Sequence, residues 1–507
     1  MQTTNEKIGQ MIAQIRQERG MTQSDFAKRL GTSQSAVNRM EHGKQNLSLE
    51  TLARVSDALD KQLITIAGKA VNLKIEGGHE LHGSIDVKIS KNATVCLLAA
   101  SLLNLGTTKL QRVPRIEEVN RLIEVLVSMG VSVRWLENND LEIKRPAKLD
   151  LANIDVEAAR KTRSVLMFIG SLMHFEKEFK IPYSGGCELG RRTVLPHLYA
   201  LEEFGVEVYT KTGHYNVTSH PKVPNRPVVL YESGDTTTNN ALLAAAAVEG
   251  ETVIKMASAN YMVQDLCFFL QKLGVKIHGI GTSTLRVQGI KPVRKNVTYA
   301  PSEDPVEAMT FIAAAVTTDS SITVRRAPIE FLELELLKLE KMGLRYELSE
   351  IYKAGNGHTD LADITIRKHN GTLQAPKEKI HPNVFPGLNI DHLPYFVPIA
   401  AVAHGRTLIH DWLYEDRALM FTEIKKVGVQ IELADPHRVY VYGPTRFKPT
   451  DMVAPNGIRP AVMLLIAMLA ANGVSTLRNV YTINRGYEDL AARLNSLGAH
   501  ITVMHEL

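Results

Sequence analysis

The stretch from Tyr183 to Arg192, Tyr-Ser-Gly-Gly-Cys-Glu-Leu-Gly-Arg-Arg, combines a thiol with three glycines and two adjacent arginines. Glycine lets the main chain approach a ligand closely. Guanidinium groups favour the reactive form of a nearby thiol, and they bind phosphate or carboxylate oxygens with a planar pair of donors. Taken alone, such a stretch is more typical of a turn with an incidental cysteine. With matching partners elsewhere in the chain, it predicts a loop in which Cys187 and Arg192 act on a small anion.

Length and composition set the limits for any function. The chain has 507 residues, more than one ordinary domain, and its hydrophobic content of 44% is that of globular proteins. A net charge of +5 is small for this length and argues against a chain coated in nucleic acid. Three cysteines cannot build a disulfide framework, and no apolar run approaches the ~20 residues that cross a bilayer. We therefore expect a cytoplasmic protein with no membrane partner.

Residues 1–70 predict a separate all-α domain. Thr22 is placed to cap a helix from Gln23 to Leu30, Gly31 breaks that helix, and Ser33 caps a second one. The segment resembles the Xre/Cro-type helix-turn-helix family, which implies binding to double-stranded DNA, with a homodimer as one arrangement. The alternative is a small helical bundle used for dimerisation or regulation. The resemblance implies that the residues facing DNA are Gln23, Ser33, Gln34, Ser35, Asn38 and Arg39.

From about residue 71 onward the chain repeats one pattern six times. Each copy has an Ala/Leu-rich helix, a strand, and a second helix that ends in a glycine before the next strand. The copies recur about every 70 residues, which is too long for the common helical solenoids and indicates βαβαβ-like units. A polar stretch at 349–379 lengthens one copy and predicts an inserted hairpin. The helix-ending glycines, which we expect in the left-handed conformation, are Gly130, Gly205, Gly274, Gly343, Gly428 and Gly498.

Several motifs spread over these copies resemble the enolpyruvyl transferase family. They are Ser90-Lys91-Asn92-Ala93, Thr162-Arg163-Ser164, the Cys187 loop with His197 after it, Asp391, Glu415-Asp-Arg417, Ile458-Arg459 and Asn484-Arg485. The resemblance implies a mixed α/β (α+β) fold of two inverted α/β barrels after the helix-turn-helix domain. One barrel would contain residues 71–90 with 299–507, and the other residues 91–298.

The resemblance also implies roles for individual residues. Phosphoenolpyruvate carries a phosphate and a carboxylate, so its site needs several cations. Cys187 would protonate C3 of the donor, Asp391 would act as the base, and Lys91 would stabilise the leaving phosphate. The reaction needs no metal and no bound cofactor. The residues that would bind phosphoenolpyruvate are Lys91, Asn92, Arg163, Arg192, Arg417, Arg459 and Arg485. Those that would bind a UDP-sugar or similar hydroxyl acceptor are Asn92, His197 and Asp391.

The acceptor side departs from the UDP-sugar branch of that family. Arg192-Thr-Val-Leu195 lacks an expected acidic residue, and Ser233-Gly-Asp235 is closer to the branch that acts on a shikimate phosphate. The chain therefore predicts one of three functions: a transferase acting on UDP-N-acetylglucosamine, a transferase with another acceptor, or a regulator that keeps a transferase-derived sensor. A sensor needs neither the acid Cys187 nor the base Asp391, so their presence argues against the third. His197 is as consistent with a buried structural histidine as with an acceptor contact.

Overall fold

The computed structural model divides into two compact units at residues 69 and 70. In the larger unit it describes residues 71–183, 193–211 and 213–505, and in the smaller one residues 21–44 together with 9–10, 12–13, 15–17, 19, 51, 54–55 and 58. None of the helices among these residues is long and apolar enough to cross a membrane.

The smaller unit contains the predicted pair of capped helices. They span Gln23–Leu30 and Gln34–Glu41, and the side chains of Thr22 and Ser33 accept hydrogen bonds from the first turn of each. Gly31 ends the first helix with φ of 67°, a left-handed angle that glycine adopts without strain. The apolar faces of the helices meet in one small core, whose described members are Ile12, Ile15, Phe26, Ala27, Leu30, Ala36, Val37, Met40 and Val55.

The described residues of the larger unit form six sheets, one for each predicted copy. In every sheet the strands of one copy pair antiparallel, and four of the six sheets also contain one parallel pair of strands. The first sheet is made of Thr107–Leu110, Ser132–Trp135, Leu141–Lys144 and Val297–Tyr299; the second of Glu178–Pro182, Val206–Lys211 and His214–Ser219; the third of Val228–Val229, Gly250–Lys255, Lys276–His278 and Thr284–Gly289.

The remaining three sheets follow in the same way. The fourth is made of Ser84–Asp86, Ile322–Pro328, Tyr346–Leu348, Tyr352–Lys353 and Asp360–Ile366; the fifth of Gly405–His410, Gln430–Asp435 and Arg438–Gly443; the sixth of Val71–Gly77, Asp451–Val453, Gly473–Arg478 and His500–His505. The sixth sheet thus joins the first strand of the unit to its last one.

Two hydrophobic cores lie between these sheets and the helices. One gathers buried residues from 93 to 299 with Phe331, and the other gathers residues from 73 to 87 and from 306 to 501. We call these the first and second lobes; the domain boundaries given above stay a prediction. Helices that are apolar on all sides are buried in the cores, as Pro305–Thr317 shows, in which every residue is buried.

The α-helices of the first lobe are Lys91–Ala100, Glu117–Ser128, Val156–Arg160, Phe168–Leu172, Leu195–Glu202, Asp235–Ala246 and Tyr261–Leu273. Those of the second lobe are Pro305–Thr317, Glu333–Lys341, Phe396–Val402, Arg417–Phe421, Ile458–Leu469, Tyr481–Asn484 and Leu490–Asn495. Short 3-10 helices lie at Ser101–Leu103, Glu137–Asn139, Ser164–Met167, Ile329–Phe331, Leu393–Tyr395 and Thr422–Val427.

The insertion at 349–379 carries the expected hairpin, in which Tyr352–Lys353 pairs antiparallel with the start of Asp360–Ile366. Its loop reaches the first lobe. Asn356 Nδ2 donates to Asp265 Oδ1 at 3.0 Å, and the ring of His358 stacks on Phe268 with 3.9 Å between centroids. The hairpin therefore ties the second lobe to the first.

The six helix-ending glycines all have left-handed φ angles, between 83° and 113°, which confirms the expectation from the repeats. They differ in the space around them. A Cβ added at Gly205 would lie 2.2 Å from the carbonyl oxygen of His220, whereas at Gly130 the nearest atom is Pro146 Cγ at 3.6 Å.

We expect both Gly130→Ala and Gly205→Ala to destabilise the chain by the ~1–2 kcal/mol cost of a left-handed alanine. The free energy of unfolding of Gly205→Ala should fall by about 1–3 kcal/mol more, because the backbone must move to make room for the methyl group. Urea unfolding of the two variants beside the native chain measures the difference. Equal losses in the two variants would contradict the crowding at Gly205.

Candidate active site and nucleic-acid interface

Lys91 lies in the first turn of helix Lys91–Ala100, which Ser90 caps. Its Nζ donates to Glu118 Oε2 at 2.7 Å, and the hydroxyl groups of Thr162 and Ser164 donate to Glu118 Oε1 at 3.2 and 2.9 Å. Burial alone would raise the pKa of Glu118, but the Lys91 ammonium and the hydrogen bonds from Lys91 and Ser164 lower it to about 2. Lys91 is therefore held in place by an ionised carboxylate. Sequence reasoning did not identify Glu118.

Asp391 lies in a turn of the second lobe, just before the 3-10 helix Leu393–Tyr395. Arg459 Nη2 donates to its Oδ2 at 3.2 Å, and 28% of the Asp391 side chain is exposed. Burial would raise the pKa of Asp391, but the charges of Arg459, Arg417 and Lys91 outweigh it and lower the pKa to about 2. Because Lys91 belongs to the first lobe, groups of both lobes act on one carboxylate. Three residues predicted to bind the donor, Lys91, Arg417 and Arg459, thus act on the predicted base Asp391.

Three arginines of the second lobe were predicted to bind the donor, and their contacts differ. Arg417 is buried and donates to the carboxylate of Asp411 and, at 2.9 Å, to the carbonyl oxygen of Ile390. Arg459, the second residue of helix Ile458–Leu469, is also buried and lies over the ring of Tyr487. Arg485 is half-buried after helix Tyr481–Asn484, and its charge helps to lower the pKa of Glu118. All three therefore act on the carboxylates Asp391 or Glu118.

Two further residues that interact with the predicted site residues were not identified from the sequence. Asp304 caps helix Pro305–Thr317, and burial raises its pKa against the opposing charges of Arg459 and Lys91. Tyr261 is buried, and its hydroxyl oxygen accepts a hydrogen bond from Asn92 Nδ2 at 3.0 Å. An acidic residue directly before a proline and an apolar run is a capping signal, so Asp304 could have been found. No sequence signal distinguishes Tyr261 from an ordinary core residue at the start of a helix.

His197 and Arg163 lie next to each other in the first lobe. His197 is buried, and its Nδ1 and Nε2 lie 3.1 Å from Asn240 Nδ2 and 3.3 Å from Thr236 Oγ1. Burial, helped by the Arg163 charge, lowers the pKa of His197 to about 3, so the ring is neutral at physiological pH. Arg163 Nη2 donates to the carbonyl oxygen of Thr193 at 2.7 Å. Cys187 and Arg192 lie outside the described residues, and Arg163 holds the chain at the first described position after them.

The neutral His197 makes a testable contribution to pH dependence. Its folded pKa of about 3 lies below the ordinary value of 6.5, so between these values the unfolded chain binds a proton that the folded chain does not. The free energy of unfolding should therefore fall as pH drops below 6.5, by up to about 1.4 kcal/mol per pH unit. The carboxylates of Glu118 and Asp391, whose pKa values are lowered, reduce the free energy of unfolding further only below about pH 4.5.

We expect His197→Gln to flatten the decline in stability between pH 6.5 and 4.5. Urea unfolding at several pH values measures the slope. His174, whose pKa is lowered by burial to about 4, gives the matched variant His174→Gln and should flatten the curve in the same range. An unchanged slope in His197→Gln would show that the folded chain accepts the proton.

In the smaller unit five of the six predicted DNA-facing residues are exposed. Those at the start and on the outer face of helix Gln34–Glu41 are all exposed: Ser33, Gln34, Ser35, Asn38 and Arg39. Gln23 is half-buried, and its Nε2 donates at 2.7 Å to Glu41, which also binds Arg16 in a buried ion pair. Glu41 thus fixes Gln23 at the start of the first helix.

Comparison with known proteins matches both units. Residues 75–494 match the family described as EPSP synthase (3-phosphoshikimate 1-carboxyvinyltransferase), and residues 12–66 match the helix-turn-helix family. The UDP-N-acetylglucosamine 1-carboxyvinyltransferase of Bradyrhizobium diazoefficiens is 33% identical over 429 residues, which are 84% of this chain and 96% of that protein. The protein of the same name from Treponema pallidum is 31% identical over 428 residues, 84% of this chain and 98% of that protein.

Solved structures give the same fold. The enolpyruvyl transferase NikO from Streptomyces tendae superimposes with a TM-score of 0.75 at 22% identity, covering 87% of this chain and 100% of that one. EPSP synthase from Acinetobacter baumannii superimposes with a TM-score of 0.66 at 19% identity, covering 86% and 100%. At these identities the likeness shows the fold alone. The mixed α/β fold that the family resemblance implied, after an N-terminal helix-turn-helix domain, is confirmed.

Proposed function

Because this chain belongs to the EPSP synthase family of enolpyruvyl transferases, we propose that it transfers the enolpyruvyl group of phosphoenolpyruvate to the 3-hydroxyl of UDP-N-acetylglucosamine and releases phosphate. That reaction is the first committed step of peptidoglycan precursor synthesis. The observation that carries the proposal is the positive electrostatic potential at Asp391, to which Lys91 of the first lobe and Arg459 of the second lobe both contribute. A base surrounded by cations is suited to an anionic donor and a hydroxyl acceptor.

The donor would bind to cations that carboxylates of this chain hold in place. Phosphoenolpyruvate presents a phosphate and a carboxylate. Lys91 and Arg485 both lower the pKa of Glu118, and Lys91 and Arg459 both lower the pKa of Asp391. Charge-assisted hydrogen bonds to such oxygens are among the strongest that proteins make. We propose that Arg163 and Arg192 complete this set from the side of the loop that carries Cys187.

Donor binding would also change the strength of the base. The low pKa of Asp391 follows from the positive charges of Arg459, Arg417 and Lys91. Phosphate and carboxylate groups bound to these cations would oppose their field and raise the proton affinity of Asp391. The carboxylate would then accept the acceptor's hydroxyl proton most readily when the donor is in place.

The proposed reaction has two stages. The acceptor oxygen attacks C2 of the donor while Asp391 takes its proton, and Cys187 gives a proton to C3, so that a tetrahedral adduct with a methyl group forms. The Cys187 thiolate then takes back one methyl proton while the C2–O bond to the phosphate breaks, which restores the double bond, and the proton held by Asp391 leaves with the phosphate. Lys91 and Arg192 would stabilise the leaving phosphate.

A second acceptor class is favoured by Asp235. Its carboxylate lies in the first turn of helix Asp235–Ala246, where Ser258 Oγ and Asn260 Nδ2 donate to it at 2.5 and 3.2 Å. Burial raises the pKa of Asp235, and the nearby charge of Asp391 acts in the same direction. A helix N-terminus otherwise favours phosphate, so a carboxylate there disfavours a diphosphate. This observation supports an acceptor other than a UDP-sugar.

Phosphate release from phosphoenolpyruvate, measured with and without UDP-N-acetylglucosamine, tests the proposal. Release that requires this sugar supports it, and release only with another acceptor, such as a nucleoside or a sugar without a diphosphate, supports the second class. Cys187→Ala should abolish release, whereas Cys267→Ala should retain it, because Cys267 is buried in the first core. Binding of phosphoenolpyruvate without turnover on any acceptor rejects both and favours a sensor.

We further propose that residues 1–70 bind double-stranded DNA through the exposed face of helix Gln34–Glu41. A duplex selected from a random library by the full-length chain serves as the probe. Arg39→Ala should weaken binding by about 1–3 kcal/mol if Arg39 contacts a base edge. Lys28→Ala, an exposed cation on the first helix, is the matched control. Selection of no sequence from the library would favour a dimerisation or regulatory module.

A further inference from the structure

Three side chains of the types that commonly bind transition metals lie close together at the edge of the sixth sheet. Glu76 lies directly opposite His500 in the antiparallel pair of Val71–Gly77 and His500–His505. His79 follows three residues after Glu76, and its Nε2 lies 3.7 Å from Glu76 Oε1. The rings of His79 and His500 stack with 4.1 Å between their centroids. One ligand atom from each residue lies within 4.8 Å of the other two.

We propose that Glu76, His79 and His500 form a binding site for a divalent transition metal of the zinc type. Two imidazole nitrogens and one carboxylate oxygen are a donor set that zinc accepts, with water as the fourth ligand. Zinc holds such atoms at about 2.0–2.2 Å, which places neighbouring ligands about 3.3 Å apart. The side chains therefore need to close by about 1.5 Å at most. Glu76 and His500 are exposed and His79 is 40% exposed, so rotation can supply this shift.

The metal would fix a junction of the second lobe. Residues 78–83 lead from the first strand of the sixth sheet to Ser84–Asp86 of the fourth sheet, and His79 lies in this connection. Glu76 belongs to the first strand of the larger unit and His500 to the last. A bound ion would cross-link these strands and the connection without using any residue of the candidate active site. The proposal is thus independent of the enzymatic one.

Binding of Zn²⁺ to the full-length, tag-free chain tests the site. Isothermal titration should show one equivalent that is lost, or at least about tenfold weaker, in both His79→Ala and His500→Ala, since losing even an outer partner of a ligand costs that much. His278→Ala, an exposed histidine on a strand of the third sheet, should bind as the native chain does. Zn²⁺ should also raise the melting temperature of the native chain and of His278→Ala, but not of the other two.

Two additional variants keep the result decisive. Glu76→Gln retains the shape of the side chain and should weaken the same equivalent, which tests the carboxylate even if a histidine variant folds poorly. Cys187→Ala removes the thiol that could bind zinc on its own, and the equivalent should persist in that background. Unchanged zinc binding in both His79→Ala and His500→Ala, or loss of the equivalent in Cys187→Ala alone, would overturn the proposal.

Discussion

Asp391→Asn is expected to lower kcat by at least about a thousandfold while phosphoenolpyruvate binds as tightly as before or more tightly. A general base contributes about 10²–10⁴ in rate, and the same carboxylate would stabilise the positive charge that develops at C2. Asparagine keeps the shape but can do neither. The substitution also removes the negative charge beside Arg459. The Arg459 guanidinium can then bind the anionic donor without competition from Asp391.

Steady-state kinetics and direct titration with phosphoenolpyruvate separate the two effects. A fall in kcat with an unchanged or lower Kd for the donor is the expected pattern. Asp451→Asn is the matched control, because this exposed carboxylate also pairs with an arginine, Arg478, but lies outside the site. A kcat within tenfold of the native chain would remove Asp391 from the role of base.

The fold could be predicted largely because its signals are local. A glycine that ends a helix, such as Gly205, can be recognised by its position after an apolar run, and an equivalent glycine occurs in each copy. The caps Thr22 and Ser33 act within one turn of the helices that they begin. In each case the physical cause lies within a few residues of the pattern, so sequence alone carries it.

The candidate site could be predicted only in part, because its electrostatics depend on residues far apart in the chain. Lys91 and Arg459 were identified by their motifs, but nothing in the sequence indicated that Glu118 holds Lys91 or that both cations act on Asp304. Glu118 resembles any acidic residue in the first turn of a helix, where the helix dipole alone favours it. Folding of the first lobe gives Glu118 its hydrogen-bond partners, whereas the charges of both Lys91 and Arg459 act on Asp304 only because the two lobes pack together.

The buried pair of Lys91 and Glu118 makes a second large effect measurable. Lys91→Met should abolish phosphate release and also destabilise the chain by about 3–5 kcal/mol, since it leaves the Glu118 carboxylate buried without its cation. The side chains of Lys91 and Glu118 are only 13% and 10% exposed, so solvent cannot replace the lost partner. Urea unfolding and the phosphate-release assay measure the two losses on the same preparation.

The double variant Lys91→Met/Glu118→Gln distinguishes the structural role of the pair from the chemical role of Lys91. Removing the orphaned charge should restore most of the stability, because a neutral amide can keep the hydrogen bonds from Thr162 and Ser164. Activity should stay lost, because no ammonium remains to stabilise the leaving phosphate. Recovery of both stability and activity would mean that Lys91 serves only to neutralise Glu118, and the donor's phosphate would then have to depend on the arginines alone.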